Sequence, residues 1–159
     1  MPIPPYVAAL RAKIGHDPLL VVGGSAIVRD GAGRVLLIRR GDNGRWALPG
    51  GMMEPGERIA ECVVRETREE TGVEVEVVRL VGIYSDPAHG HVTLGNGDEL
   101  YVVIVSFECR AVSGAPRPDG DESLDVAYFA PGDLPASVQP WHRMRIEDAL
   151  AGGQAAFVR

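Results

Sequence analysis

The stretch GMMEPGERIAECVVRETREETGV, residues 51–73, decides the fold. Projected at about 100° per residue, residues 58–71 form an amphipathic helix. The positions suited to a core share one sector: Ala60, Val63, Val64, Thr67 and Thr71. Three glutamates, Glu66, Glu69 and Glu70, gather on nearly the opposite side, at i, i+3 and i+4. We therefore predict a helix that packs one face on a core and carries carboxylates on the other.

These glutamates admit two interpretations. Like charges at this spacing destabilise a helix, so helix stability does not explain them. A solvated acidic face is the simpler interpretation, but two neighbouring features favour a metal site. Gly50 and Gly51 allow a close backbone approach and could present a carbonyl oxygen, and Glu57 can pair with Arg65. Because Mg²⁺ and Mn²⁺ prefer oxygen ligands on a fixed frame, we predict a site for one of these cations.

The flanking sequence predicts an α+β domain. Residues 19–29 and 34–40 are rich in Val, Ile and Leu and are separated by the turn signal Asp30-Gly31-Ala32-Gly33, which predicts a hairpin. Further strands are expected near 74–84, 100–111 and 123–130, with a helix near 140–151. This order lacks a regular βαβ alternation, so it favours a single α+β domain around a mixed β-sheet.

The N-terminus predicts a separate short element. Residues 6–14 carry Tyr6, Val7, Leu10 and Ile14 at helical spacing. The apolar face of such a helix could cap the core or contact a second subunit in a homodimer, and the sequence leaves both open. We expect residues 1–17 to form an N-terminal extension and residues 18–159 to form the domain.

Composition limits the partners. The 159 residues carry a net charge of −6 at pH 7, which argues against binding to a nucleic-acid polymer or an anionic membrane. No apolar stretch is long enough to cross a bilayer. The two cysteines, Cys62 and Cys109, form no CxxC pair, so we expect a cytoplasmic protein without a disulfide framework or structural zinc.

Residues 51–73 resemble the Nudix box, G-X5-E-X7-R-E-U-X-E-E-X-G-U, in which U is a bulky aliphatic residue. Gly51, Glu57, Arg65-Glu66, Glu69-Glu70 and Gly72-Val73 occupy its defining positions. Thr67 departs from the pattern, but it lies on the stripe expected to face the core. The resemblance implies an α/β/α sandwich and a MutT-like hydrolase, a pyrophosphatase that cleaves a nucleoside diphosphate linked to another group with Mg²⁺ or Mn²⁺.

The resemblance also implies roles within the box. Glu66, Glu69 and Glu70 are similar to the metal-binding, catalytic carboxylates of the family, and the Gly50 carbonyl is similar to an additional metal ligand. Glu57 and Arg65 resemble the supporting pair that orients the helix face. Glu54 stands at a position that is commonly acidic in the family and is assigned to the same network.

In some Nudix subfamilies the general base comes from the box, and in others from a later loop. Within the later acidic turn at residues 119–122, Glu122 is our choice of catalytic base, beside the alternative of an ordinary turn. The turn at residues 96–99 is a second candidate.

Substrate contacts must lie outside the box. Arg39, Arg40 and Arg45 could hold phosphate oxygens. Trp46 could stack on a base, although core packing is favoured. The four histidines show no spacing typical of metal ligands.

The sequence does not select the nucleotide. The small-molecule substrate is expected to be a nucleoside diphosphate derivative such as ADP-ribose, or a nucleoside triphosphate. The leading alternative is a non-catalytic Nudix domain that binds a nucleotide and regulates another activity. A diphosphate isomerase related to the family has weaker support, because its Cys and Glu pairing lies elsewhere in a longer chain.

Overall fold

The computed structural model describes residues 4–153 and 155–159, so residues 1–3 of the predicted extension lie outside it. The helices are α1 (Pro5–Ile14), α2 (Ile59–Thr71), α3 (Pro87–Gly90) and α4 (Pro140–Leu150). The strands are β1 (Leu19–Arg29), β2 (Val35–Arg40), β3 (Trp46–Ala47), β4 (Gly50–Met52), β5 (Glu74–Tyr84), β6 (His91–Thr93), β7 (Glu99–Ser113), β8 (Ser123–Phe129) and β9 (Phe157–Val158). Among the described residues, no helix is long and apolar enough to span a membrane.

The strands form one mixed sheet, as the sequence predicts. β1 runs parallel to β7 along its whole length and antiparallel to β2 and β4. The turn between β1 and β2 is held by Asp30, whose Oδ1 accepts the amide protons of Ala32 and Arg34 at 2.9 and 2.8 Å. β8 pairs with the other side of β2. These pairings place β1 and β2 between two helical layers.

Alternate side chains of β1 and β2 build two cores. Ala26 and Val28 point to one face and pack with Val63 of α2. Ile27 points to the opposite face and packs with Ile146 of α4. This period of two is what a strand buried on both faces requires. The result is the α/β/α sandwich that the Nudix resemblance implies.

The helix α2 shows how threonine replaces the usual aliphatic residue of the box. Thr67 is fully buried, and its Oγ1 donates to the Val63 carbonyl at 2.7 Å. The hydroxyl therefore carries no unsatisfied donor into the core. The helix ends at Gly72, which has φ +69° and donates its amide proton to the Arg68 carbonyl. Glycine suits this left-handed end because it has no Cβ.

The helix α1 is tied to the rest of the chain by polar contacts. The Tyr6 hydroxyl donates to the Met53 carbonyl at 3.1 Å, and Arg11 donates to the Glu99 carbonyl at 2.6 Å. Asp98 is buried and pairs with His16 and Arg11. Asp98 belongs to the acidic turn at residues 96–99, our second candidate for the general base. In the structure its carboxylate contacts the N-terminal segment.

Four short strands lie where the sequence carries no strand signal. β3, β4, β6 and β9 have two or three residues each, too few to show a period of two. β4 contributes most to function, because pairing with β1 brings its glycines beside α2.

The core supplies a direct test of this arrangement. Leu36→Ala should lower the free energy of unfolding by about 3 kcal/mol, because it empties a fully buried site in β2. Leu20→Ala is the matched control, since Leu20 is a strand leucine that is 68% exposed, and it should cost less than about 1 kcal/mol. Urea unfolding of the two variants measures both values; equal costs would contradict the assigned core.

Candidate active site

Three carboxylates meet at the surface of α2. Ligand oxygens of Glu66, Glu70 and Glu122 all lie within 4.8 Å of one another. Glu66 and Glu70 are one helical turn apart, and Glu122 reaches them from the loop before β8. Glu66 and Glu70 are only 8% and 3% exposed. The two glutamates are therefore part of a buried cluster and do not lie on a solvated face.

The strand β4 closes directly over this cluster. The Gly50 amide donates to Oε2 of Glu70 at 2.8 Å. A Cβ on Gly51 would lie 2.3 Å from Cδ of Glu66. A larger residue at position 51 would therefore push the Glu66 carboxylate away from its observed place in the cluster. The contact observed at Gly50 involves its amide, and the role of its carbonyl as a metal ligand stays a prediction.

Arg65 links the cluster to the loop before the helix. Its Nε and Nη2 donate to the two oxygens of Glu57 at 2.8 and 3.0 Å. Its Nη1 donates to Glu66 at 2.8 Å and to Glu69 at 3.2 Å. Glu57 also accepts the amide proton of Glu54 at 3.1 Å. One guanidinium thus orients three carboxylates, with a two-point contact to Glu57 that fixes its plane.

The loop that carries Glu122 is anchored to the same helix. The Ser123 hydroxyl donates to the Glu70 carbonyl at 2.6 Å. Asp119 Oδ1 accepts the amide protons of Asp121 and Ser123 at 2.8 and 3.0 Å. The Glu122 carbonyl accepts the Gly41 amide proton at 2.8 Å. These contacts hold the predicted base beside the box carboxylates.

Burial and mutual repulsion raise the pKa values of the cluster. Burial raises the pKa of Glu70 well above its ordinary value, and the charges of Glu66 and Glu122 add to the effect. Burial is also the largest cause of the raised pKa values of Glu66 and Glu122. Arg65 and the Gly50 amide offset only part of this. A set of oxygen ligands held together at such a cost fits a hard divalent cation.

Two clefts flank β4. The acidic cleft, of about 440 Å³, is lined by Met52, Glu54, Glu66, Glu69, Asp119 and Glu122, with further residues. The apolar cleft, of about 420 Å³, has walls that include Met52, Val92, Leu100, Val102, Ile104 and Trp141. Met52 lines both. A molecule with a charged part and an apolar part could therefore occupy both clefts at once.

The four residues predicted to contact substrate do not lie together. They are Arg39, Arg40, Arg45 and Trp46. Arg40 lines the apolar cleft, where Asp42 holds its guanidinium through contacts of 2.9 and 2.6 Å. Arg39 lies 3.9 Å from Asp125. The exposed Arg45 follows the turn at Asn43.

Trp46 lies edge-to-face on Phe129, with ring centroids 4.8 Å apart, in the core on the α4 side. Core packing, the favoured interpretation of this tryptophan, accounts for its observed contacts.

Two polar residues of α4 that line the apolar cleft were not predicted from the sequence as site residues. His142 and Arg145 are both buried there. The sequence does show that His142 and Arg145 are three residues apart, and this spacing places them on one face of the helix. Arg145 also directly precedes the core residue Ile146. A buried arginine is unusual, but the burial of Arg145 is evident only in the structure.

The buried cluster makes stability depend on pH. The pKa of Glu70 is raised in the folded state, so the folded protein favours the protonated carboxyl. The stabilisation that the protonated carboxyl provides is therefore lost as the pH rises above about 4.5, the ordinary pKa of glutamate. Without metal, Glu70→Gln should therefore unfold at a higher temperature than wild type at pH 8, with the difference shrinking towards pH 5. Mg²⁺ should stabilise wild type more than the variant.

Thermal unfolding in EDTA between pH 5 and pH 8 measures this difference. Glu147→Gln is the control, because Glu147 is an exposed glutamate of α4. A pH-independent gap between Glu70→Gln and wild type would contradict the assigned cluster.

Comparison with known proteins agrees with this geometry. The NUDIX domain model matches residues 20–149. A Bacillus subtilis protein provisionally named 8-oxo-dGTP diphosphatase is 32% identical over 132 residues, which cover 83% of this chain and 81% of the relative. An ADP-ribose pyrophosphatase of Methanocaldococcus jannaschii is 36% identical over 108 residues, which cover 64% of this chain and 57% of the relative.

A solved structure of a Nudix hydrolase is also similar to this chain. The crystal structure of a MutT NUDIX hydrolase from Burkholderia pseudomallei superposes with a TM-score of 0.68 at 30% identity, covering 82% of this chain and 98% of that one. The domain match spans both helical layers and the whole box. The chain therefore belongs to the Nudix family, as a pyrophosphohydrolase.

Proposed function

We propose that this protein hydrolyses a diphosphate bond in a nucleotide, with Mg²⁺ or Mn²⁺ held by Glu66, Glu69 and Glu70. The observation that carries the proposal is the cluster of carboxylate oxygens of Glu66, Glu70 and Glu122, which lie within 4.8 Å of one another. Glu69 is exposed outside this cluster, but Arg65 binds it together with Glu66, and both line the acidic cleft. A diphosphate is a polyanion, so these carboxylates would repel it unless a cation lay between them. The Gly50 carbonyl is proposed as a further ligand.

The substrate class follows from the pair of clefts. The acidic cleft suits the metal-bound diphosphate, and the apolar cleft suits an uncharged group attached to it. A nucleoside triphosphate or a nucleoside diphosphate derivative has both parts. The names of the relatives from Bacillus subtilis and Methanocaldococcus jannaschii fall within this range. We therefore propose a small nucleotide as the substrate.

Each residue has a distinct part in the proposed reaction. A bound divalent cation supplies Lewis-acid chemistry and lowers the pKa of water. Glu122 takes the proton of the attacking water, because its raised pKa brings it closer to neutral pH. Arg65 keeps Glu66 and Glu69 oriented through its contacts with both. Glu57 holds the Arg65 guanidinium in plane.

Phosphate contacts are proposed for the arginines beside the clefts. Arg40 is the first choice, because Asp42 holds its guanidinium at the apolar cleft and its charge acts on Glu70 and Glu122. Arg39 and Arg45 are proposed to approach phosphate oxygens from the neighbouring strand end and turn. Trp46 is a weaker candidate for base stacking, because Phe129 already covers part of its ring.

The complete box argues against the two alternatives. Non-catalytic Nudix domains often lose carboxylates of the box, whereas this chain keeps Glu57, Glu66, Glu69 and Glu70. The isomerase alternative requires a reactive cysteine beside a glutamate. Cys62 is fully buried, and its burial raises the pKa of its thiol to about 12. This thiol is thus a poor proton donor or nucleophile.

The carboxylates can be tested one at a time. Glu69→Gln should lower kcat by about 100-fold or more, because it removes a charge from the metal site. Glu122→Gln should lower kcat by about 100- to 10,000-fold through loss of the base. Glu69 is exposed, so its variant should fold normally. Release of phosphate or pyrophosphate with Mg²⁺ measures kcat, with Glu147→Gln as the unaffected control.

A substrate panel decides between catalysis and regulation. It should contain nucleoside triphosphates, ADP-ribose and nucleotide sugars, each with Mg²⁺ and with Mn²⁺. Hydrolysis of none of them, together with metal-dependent nucleotide binding, would support the regulatory domain. Unchanged turnover in Glu69→Gln would overturn the proposed metal ligand.

We also propose that residues 1–17 form an N-terminal extension and that residues 18–159 form the hydrolase domain. The protein is further proposed to be cytoplasmic and not to bind nucleic-acid polymers. Val7 is buried, whereas Leu10 of the same helix is 37% exposed. Leu10 lies on the same apolar face as Val7, and the exposed part of that face is the candidate surface for a homodimer. Deleting residues 1–14 should convert such a dimer to a monomer, as measured by light scattering. An unchanged solution mass would contradict a dimer built on α1.

A further inference from the structure

Arg145 is a charged side chain enclosed by the fold. It is 1% exposed, yet it lines the apolar cleft. Its Nε donates to the Trp141 carbonyl at 3.1 Å, and its Nη1 donates to Ser25 Oγ at 2.9 Å. Its Nη2 lies 2.8 Å from Nδ1 of His142. Within residues 4–153 and 155–159, these three contacts leave two of its five N–H groups without a hydrogen-bond partner.

No carboxylate of the described residues lies within ion-pair distance of this guanidinium. Burying a charge without an opposite partner is costly. Burial accordingly lowers the pKa of Arg145 to about 10. A core role would be served better by a leucine or methionine, so the retained charge points to a ligand group with acceptor atoms.

His142 adds a second donor to the same wall. Its Nδ1 faces two donors, the Leu48 amide at 3.2 Å and Nη2 of Arg145 at 2.8 Å. Nδ1 must therefore be the acceptor, and the proton of the neutral ring lies on Nε2. Burial and the charge of Arg145 lower the pKa of His142 well below its ordinary value, which keeps the ring neutral. Arg145 and His142 thus offer donors but no free acceptor.

The rest of the cleft suits a flat, uncharged ring. The Trp141 ring lies 4.6 Å from the Arg145 guanidinium, and aliphatic side chains such as Val102 and Ile104 form the walls. Beside Arg145, such walls disfavour a phosphate or carboxylate, which would lose its hydration against them. Arg40, the proposed phosphate contact, lines the same cleft, and its charge acts on Glu70 and Glu122. A nucleobase has apolar faces and a polar edge, so it matches both the walls and the donors.

Nucleobases differ in the edge they present to a guanidinium. The O6 and N7 atoms of guanine are two adjacent acceptors, which one guanidinium can bind together. Adenine carries an N6 amino donor beside N7. Cytosine pairs its acceptors O2 and N3 with an adjacent N4 donor. Hypoxanthine keeps the O6 and N7 of guanine, whereas 8-oxoguanine carries a proton on N7.

We propose that the apolar cleft binds the base of the substrate and that Arg145 selects 6-oxopurines through their O6 and N7 atoms. This inference rests on the proposed function, which it narrows to guanine and hypoxanthine nucleotides. Arg145 contacts the base and not the reacting phosphates, so it determines specificity.

Wild-type protein and four nucleotides test the inference. GTP and ITP should have kcat/KM values within a few-fold of each other. ATP and 7-deaza-GTP should be about 10- to 100-fold worse, because each lacks one of the two acceptors and a bidentate pair contributes about 1–3 kcal/mol. dGTP should likewise be preferred to 8-oxo-dGTP, and GTP to CTP. Equal values for GTP, ATP and 7-deaza-GTP would overturn the inference and leave the proposed hydrolysis intact.

A pair of variants separates selection from folding. Arg145→Lys keeps the charge but removes the planar pair of donors, so the GTP to ATP ratio of kcat/KM should fall towards 1. Arg143→Lys, on the same helix, should keep the wild-type ratio. An unchanged ratio in folded Arg145→Lys would contradict the assignment. If that variant does not fold, the 7-deaza-GTP comparison on wild type decides alone.

A failure of the proposed hydrolysis can be distinguished from a failure of the proposed base preference. If wild type hydrolyses no nucleotide with Mg²⁺ or Mn²⁺, the proposed hydrolysis fails. Binding of methylene-bridged GTP and ATP analogues, measured by calorimetry, then tests the base preference by itself. Tighter binding of the GTP analogue by 10-fold or more would support the inference, and equal affinities would overturn it.

Discussion

The enclosure of like charges at the surface of α2 is the constraint on which the site depends. Glu66, Glu70 and Glu122 place oxygens within 4.8 Å of one another, in surroundings that raise all three pKa values. A chain selected for stability alone would replace them with apolar residues. Their presence makes sense where a divalent cation neutralises them and then holds an anionic substrate.

Other features of the fold follow from this need. Glycine at position 51 leaves room for the Glu66 carboxylate, which a Cβ there would displace from the cluster. Arg65 supplies charge from one side through four contacts with carboxylates. The Ser123 hydroxyl fastens the Glu122 loop to the α2 backbone. The acidic composition of the chain, which argues against anionic polymers, is compatible with a small anionic substrate because the cation reverses the local charge.

Much of this arrangement was predictable from sequence, because it is local. The box lies within 23 consecutive residues, and helical spacing alone places Glu66 and Glu70 on one face. The mixed sheet also followed from the order of the predicted elements, whereas the two helical layers were implied by the Nudix resemblance. The approach of β4 to the helix was not predictable, because three residues with two glycines carry no strand period. Nothing in residues 119–122 shows that Glu122 meets the box glutamates, since that contact spans more than 50 positions.

The apolar cleft was missed for a related reason. Its lining residues come from β1, β2, β4, β6, β7 and α4, which span the chain from Gly23 to Arg145. Arg145 belongs to a helix whose buried residues also include His142 and Asp148. Because no apolar stripe marks the inward face of this helix in the sequence, the charge of Arg145 becomes informative only once its burial is known. Arg39, Arg40 and Arg45 were predicted from sequence because they flank the loop before the box and could hold phosphate oxygens, and Arg40 alone among them lines the apolar cleft.

The central claim is that the carboxylate cluster holds a divalent cation. Electron paramagnetic resonance of Mn²⁺ in the presence of a methylene-bridged nucleotide measures this most directly. Wild type should remove Mn²⁺ from the free-ion signal, and Mg²⁺ should compete with it. The Glu66→Gln, Glu70→Gln double variant should leave most Mn²⁺ free. Equal Mn²⁺ binding by the two proteins would contradict the account.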